Sequence, residues 1–143
     1  MNIGIWNKCI EELQKSEYYP YRIGAVVFKG SRILSAGYNK LRGNGCIHPK
    51  YKKIDHSLHA EQAAILDLKH WEKAKGTSIL IIRMNQCDSI SLSYPCPMCQ
   101  SLIKHVGIRK VFYTLRNSKI KCIKASELCP SNYESNGEWY GQN

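Results

Sequence analysis

A carboxylate stands where this chain has to bury itself. Leu58, Glu61, Ile65 and Leu68 fall at i, i+3, i+7 and i+10, which puts Glu61 on the apolar stripe of a helix expected over residues 58–73. Ser57 is a suitable N-cap for it, and Gly76 breaks the helical pattern beyond its end. Glutamate is rarely inside a protein without a partner, because an isolated charge taken out of water is costly. A cation therefore has to face Glu61. His59, two residues earlier, is close enough to bind that cation beside it, and the small residues Ala60, Ala63 and Ala64 let the helix approach its neighbours closely.

A second helix carries the matching chemistry. Cys96 and Cys99 are three residues apart, so in a first helical turn their sulfurs leave one face, about 5–6 Å apart at Cβ. Two thiolates at that spacing can share one Zn²⁺ at about 2.3 Å each. The positive end of the helix favours thiolate over thiol. With His59 they make a neutral three-ligand core whose fourth position is open, the pattern of a catalytic rather than a closed structural site. Two other readings explain less. A redox pair leaves His59 and Glu61 without a purpose. A structural zinc needs a fourth ligand, such as Cys87 or His105, and leaves Glu61 idle.

The rest of the chain reads as a single domain over residues 1–143. Ile3, Trp6, Ile10 and Leu13 give residues 2–17 the spacing of an amphipathic helix, which Pro20 ends. Residues 23–28 and 32–36 are strands joined by a turn at Lys29-Gly30-Ser31, and a long polar loop covers residues 40–55. Residues 78–84 form a buried strand, and residues 89–94 a loop. Pro95 opens a helix that carries Cys99, Leu102, Ile103 and Val106 on one face and ends at Gly107. Two more strands cover residues 110–114 and 119–124, and the polar, aromatic tail over residues 130–143 has no assigned structure. The order α-β-β-α-β-α-β-β implies an α/β fold with a mixed sheet and helices packed on its faces.

Charge and cysteine usage bound the setting. Residues 18–54 hold eight basic residues and no acidic one, and residues 104–124 hold seven more with none. Within the net charge of +10, these runs attract phosphate, whether on a nucleotide or along a single-stranded nucleic acid. Seven cysteines, an odd number, suit a reducing compartment where thiols are buried apolar groups or metal ligands. Residues 1–19 carry Glu11, Glu12 and Glu17 among their apolar positions and so lack a signal peptide's h-region; the longest strongly apolar run, residues 79–82, is far too short to cross a bilayer. The expected location is cytoplasmic, with no membrane partner.

Taken together, His59-Ala60-Glu61 and Pro95-Cys96-Pro97-Met98-Cys99 resemble the paired motifs of zinc nucleobase deaminases. The wider chain, over residues 22–114, resembles the cytidine/deoxycytidylate deaminase superfamily: Ile23-Gly24-Ala25-Val26-Val27 is similar to its first strand, Gly37-Tyr38-Asn39 to its substrate-binding turn, and Gly107-Ile108-Arg109-Lys110-Val111 to the strand after its zinc helix. The Pro-Cys-Pro-x-Cys form is most similar to deoxycytidylate deaminases; transfer-RNA adenosine deaminases differ where Tyr94 and Gln100-Ser101 stand.

The resemblance implies a three-layer α/β/α sandwich on a five-stranded mixed sheet, and a homo-oligomer. It implies Zn²⁺ on His59, Cys96 and Cys99, with Glu61 as the catalytic proton carrier. Asn39 and Ala60 are then expected to touch the substrate, Arg22, Lys40 and Arg42 to hold its phosphate, and Cys46, His48 and His56 to offer a second zinc site. The expected reaction is deamination of a cytosine nucleotide, dCMP to dUMP. The basic runs leave open a deaminase acting on cytosine or adenine in single-stranded DNA or RNA, and, in another class, a non-catalytic zinc module that binds nucleic acid.

Overall fold

In a computed structural model, residues 1–18, 20–40 and 58–133 are described. Their elements run α1 (Ile3–Leu13), β1 (Tyr21–Lys29), β2 (Arg32–Tyr38), α2 (Ala60–Asp67), β3 (Ser78–Asn85), β4 (Ile90–Ser91), α3 (Pro97–His105), β5 (Lys110–Thr114) and β6 (Ile120–Lys124). Five strands make the expected mixed sheet in the order β2-β1-β3-β5-β6. Among the described strands only β3 and β5 pair in parallel. The two-residue β4, within the segment read as a loop, pairs with Arg83 and Met84, beyond the reach of β5.

Alternation along the strands separates two apolar faces. Val26, Phe28, Leu80 and Ile82 pack with Ile5, Cys9 and Leu13 of α1. Ala25, Val27, Ile79, Ile81 and Val111 face the other way, onto Ala64 and Ile65 of α2 and Ile103 of α3. The sandwich therefore has α1 on one side and α2 with α3 on the other. No helix among the described residues is long and apolar enough to cross a membrane.

Three local expectations are corrected. Asn2 caps α1, its Oδ1 accepting from the Gly4 and Ile5 N–H groups at 2.8 and 3.2 Å. The buried stripe of α1 runs through Ile5, Cys9 and Leu13, while Ile3 is 71% exposed. The second helix is shorter than residues 58–73: Leu58 precedes it, and Lys69 enters the left-handed region at φ 69° and ends it, leaving a separate 3-10 turn at Trp71–Ala74. Its N-cap is His59; Ser57 lies outside the described residues.

Two glycines let helices come unusually close. A methyl on Gly24 would meet the Cys9 carbonyl oxygen at 2.4 Å, and one on Gly37 would meet the Ala64 nitrogen at 2.4 Å. The second contact sets α2 directly on β2, and the Ser35 hydroxyl reinforces it by donating to the Ala64 carbonyl at 2.7 Å.

Candidate metal centre

Both candidate ligand segments are helix beginnings. Lys40 and Leu58 exchange two backbone hydrogen bonds of 2.9 Å, which fixes where the chain enters α2. His59 comes next as N-cap in extended conformation, and the Gln62 side-chain oxygen accepts its backbone N–H at 2.9 Å. Because α3 connects the parallel strands β3 and β5, its start lies past the C-terminal end of β3. Cys96 is its N-cap and Pro97 its first residue, where a missing N–H leaves no intrahelical bond unmade. Cys99, in the first turn of the helix, is buried.

His59 Nδ1 lies 3.6 Å from Cys96 Sγ and 3.3 Å from Cys99 Sγ, and the three ligand atoms lie within 4.8 Å of one another. Tetrahedral zinc, bonded at about 2.0–2.1 Å to nitrogen and about 2.3 Å to sulfur, sets such donors about 3.5 Å apart. The donor types and the spacing both fit zinc. Among the described residues this is the one group of three that could hold a metal. Cys87 is exposed in the β3–β4 turn, and the exposed His105 at the far end of α3 meets the Trp71 ring edge-on.

Glu61 is 5% exposed, as its place on the stripe requires. Burial is the chief cause that pushes its carboxyl up to about 7; His59 opposes the rise and a charged Cys96 adds to it. A hydrogen bond from Cys99 is the chief cause holding Cys96 down to about 4, and the same shared proton raises Cys99. Two cysteine sulfurs, an imidazole and a carboxyl group thus lie together, a set able to bind a dication and to carry protons.

Of the other expected site residues, Asn39 is buried and serves β1: its Oδ1 accepts from the Ile23 N–H at 2.8 Å and its Nδ2 donates to the Tyr21 carbonyl at 3.2 Å. Ala60, fully buried, opens α2 between His59 and Glu61. Arg22 pairs with Asp88, and the Lys40 ammonium lies 5.1 Å from the Tyr38 ring centroid. Arg42, Cys46, His48 and His56 lie outside the described residues.

Two further residues join the centre that motif reading passed over. Gln100 is 2% exposed, and its Nε2 donates to the carbonyls of Pro95 at 2.9 Å and Cys129 at 3.4 Å. It stands at i+4 from Cys96 and i−3 from Ile103, so a buried amide there needs partners; that register was the available signal. Tyr133, from the unassigned tail, has its phenol pushed upward by burial first and then by the charges of Cys96, Tyr21 and Glu61, against Arg83. It lies within electrostatic reach of the ligands, and its sequence neighbours carried no sign of that.

The described geometry agrees with comparison to known proteins. Residues 4–115 match the family model "Cytidine and deoxycytidylate deaminase zinc-binding region". An uncharacterized deaminase in the luxG 3' region of Aliivibrio fischeri is 30% identical over 95 residues, covering 64% of this chain and 56% of that protein. The chain thus spans little more than half the length of that curated relative. Cytidine deaminase from Burkholderia pseudomallei shares the fold with a TM-score of 0.66 at 14% identity, over 93% of this chain and 99% of that one. The dCMP deaminase of cyanophage S-TIM5 in its apo form is 25% identical with a TM-score of 0.54, over 79% of this chain and 81% of that one.

Proposed function

The chain belongs to the cytidine and deoxycytidylate deaminase family, and from that premise we propose that it hydrolyses the amino group of a cytosine nucleotide, converting dCMP and water to dUMP and ammonia. The observation that carries this reading is the buried Glu61 beside the His59, Cys96 and Cys99 donor set. Those three residues would hold zinc, which when bound lowers the pKa of a water to about 7 and so supplies a nucleophile at neutral pH. Glu61 takes a proton from the attacking water and gives it to the ring nitrogen. It then carries the second proton to the departing amine, which leaves as ammonia. A carboxyl group raised toward neutrality both accepts and releases a proton at little cost.

Likeness to a dCMP deaminase and the Pro-Cys-Pro-x-Cys form of the second motif support the monophosphate as substrate. As the first residue of α2, Ala60 carries a backbone N–H that the helix itself leaves unused. Asn39 keeps a second Nδ2 hydrogen beyond the one given to Tyr21. We assign these two donors to the base and sugar, and Arg22, Lys40 and Arg42 to the phosphate, in a homo-oligomeric enzyme.

The acid-free basic runs favour one second reading, a base presented on single-stranded nucleic acid. Incubation of the pure protein with cytidine, dCMP, dCTP, adenosine nucleotides and single-stranded oligonucleotides, with measurement of ammonia release and product mass, separates them. Turnover of dCMP supports the first; turnover of oligonucleotides alone replaces it with the second.

A further inference from the structure

At the end of α3 remote from Cys96 the surface forms a wide-mouthed cavity of about 830 Å³, open to solvent. Its walls come from the chain just before β3, the C-terminal end of α3, the start of β5 and the end of β6. Five of its lining residues are cations: Lys75, Lys104, Arg109, Lys110 and Lys124. None of the lining residues is acidic, and among the described residues none of these cations is ion-paired. Two acidic side chains lie outside the lining: Glu127 accepts the Lys124 backbone N–H at 2.8 Å, so its carboxylate stands at the rim, and the exposed Glu72 lies 3.8 Å from His70.

The sheet register sharpens the point. Lys110 of β5 and Lys124 of β6 are direct cross-strand partners, and like charges placed opposite one another destabilise a strand pair. Lys104 adds a third ammonium from the helix above, its Nζ bonded to the Leu128 carbonyl at 2.9 Å. A concave wall of one sign focuses its field inward. Mutual repulsion of this kind is relieved by an anion with several charges close together, and the volume lies in the range of small-molecule pockets, about 300–1,000 Å³.

We propose that this cavity binds a compact oligophosphate, two or more linked phosphates that are free or carried on a nucleotide, at a site separate from the metal centre. α3 stands between the two: at about 1.5 Å per residue, its nine residues set the Cys96 end and the cavity end of the helix about 12–14 Å apart. The proposal does not depend on which base the metal centre takes.

Calorimetry on the zinc-loaded protein tests it with tripolyphosphate, ATP, orthophosphate and a single-stranded oligonucleotide. Tripolyphosphate is expected to bind one-to-one and more tightly than orthophosphate. The paired substitution Lys110→Glu with Lys124→Glu is expected to weaken it by about ten-fold or more. Lys119→Glu with Lys121→Glu, an equal charge change toward the other end of β6, leaves it within about two-fold. Zinc content reports whether each variant is folded. ATP binding tighter than tripolyphosphate supports a nucleotide-borne ligand, and equal binding a free one. No binding of tripolyphosphate, equal weakening by both pairs, or tight salt-sensitive binding of the oligonucleotide alone overturns the assignment.

Discussion

The Gln100 amide reaches back past the start of α3 and donates to the Pro95 carbonyl at 2.9 Å. This bond fixes the peptide that leads into Cys96, and the second contact to Cys129 ties both to the chain after β6. Partners of this kind orient ligands, and their loss typically costs about 10–100-fold in metal affinity. Gln100→Ala is therefore expected to weaken zinc binding in that range in a chelator competition, with the fold unchanged by circular dichroism. Zinc affinity equal to wild type would show that the Pro95 segment holds its own shape.

Glu61→Gln keeps the size of the side chain and removes its ability to move protons. Zinc content is expected to match wild type while turnover on the accepted substrate falls by about 10²–10⁴-fold. Undiminished turnover would remove Glu61 from the reaction.

The pH dependence of the metal-free protein comes from the same carboxyl group. Burial raises it from its ordinary 4.5 to about 7. A raised carboxyl pKa contributes stability that is complete below the ordinary value and lost as pH climbs through the folded value. Between about pH 5 and pH 8 the unfolding midpoint of metal-free wild type should fall by several degrees relative to Glu61→Gln. A constant difference would mean that Glu61 is ionised across the whole range.

Gly37→Ala tests the seating of α2. The added methyl would stand 2.4 Å from the Ala64 nitrogen and 2.7 Å from Ala63 Cβ, so helix or strand has to shift. Overpacking of this kind costs about 1–3 kcal/mol, read from chemical denaturation, and zinc affinity is expected to fall with it because His59 opens the displaced helix. Full stability with weakened zinc would point to a local rearrangement of α2 alone.

The zinc centre was legible in the sequence because its chemistry is local. A carboxylate on a buried stripe, and two thiols one turn apart, each state their need for a partner within a few residues. The layers were legible too, since the unbroken apolar runs of the central strands call for helices on both faces. Less so were the places where several residues compete for one role. Ile3, Ile5, Trp6 and Ile10 are all apolar, so spacing alone did not fix the phase of α1, and the Asn2 cap turned Ile3 outward. Lys69 has no composition that announces a left-handed residue, yet it ends α2. Tyr133 reaches the centre only through the chain path after β6, which local pattern does not encode.

His59 and Cys96 each cap a helix rather than lie inside one. Helix ends are where hydrogen-bond ladders come apart first, because their outermost amides have no intrahelical partner. An ion gripped by both caps would thus act on the opening turns of two helices at once, stitching α2 and α3 together between ligands 37 positions apart in the chain. Filling the pocket would then quiet the amide exchange of both opening turns in concert, long before any substrate arrives.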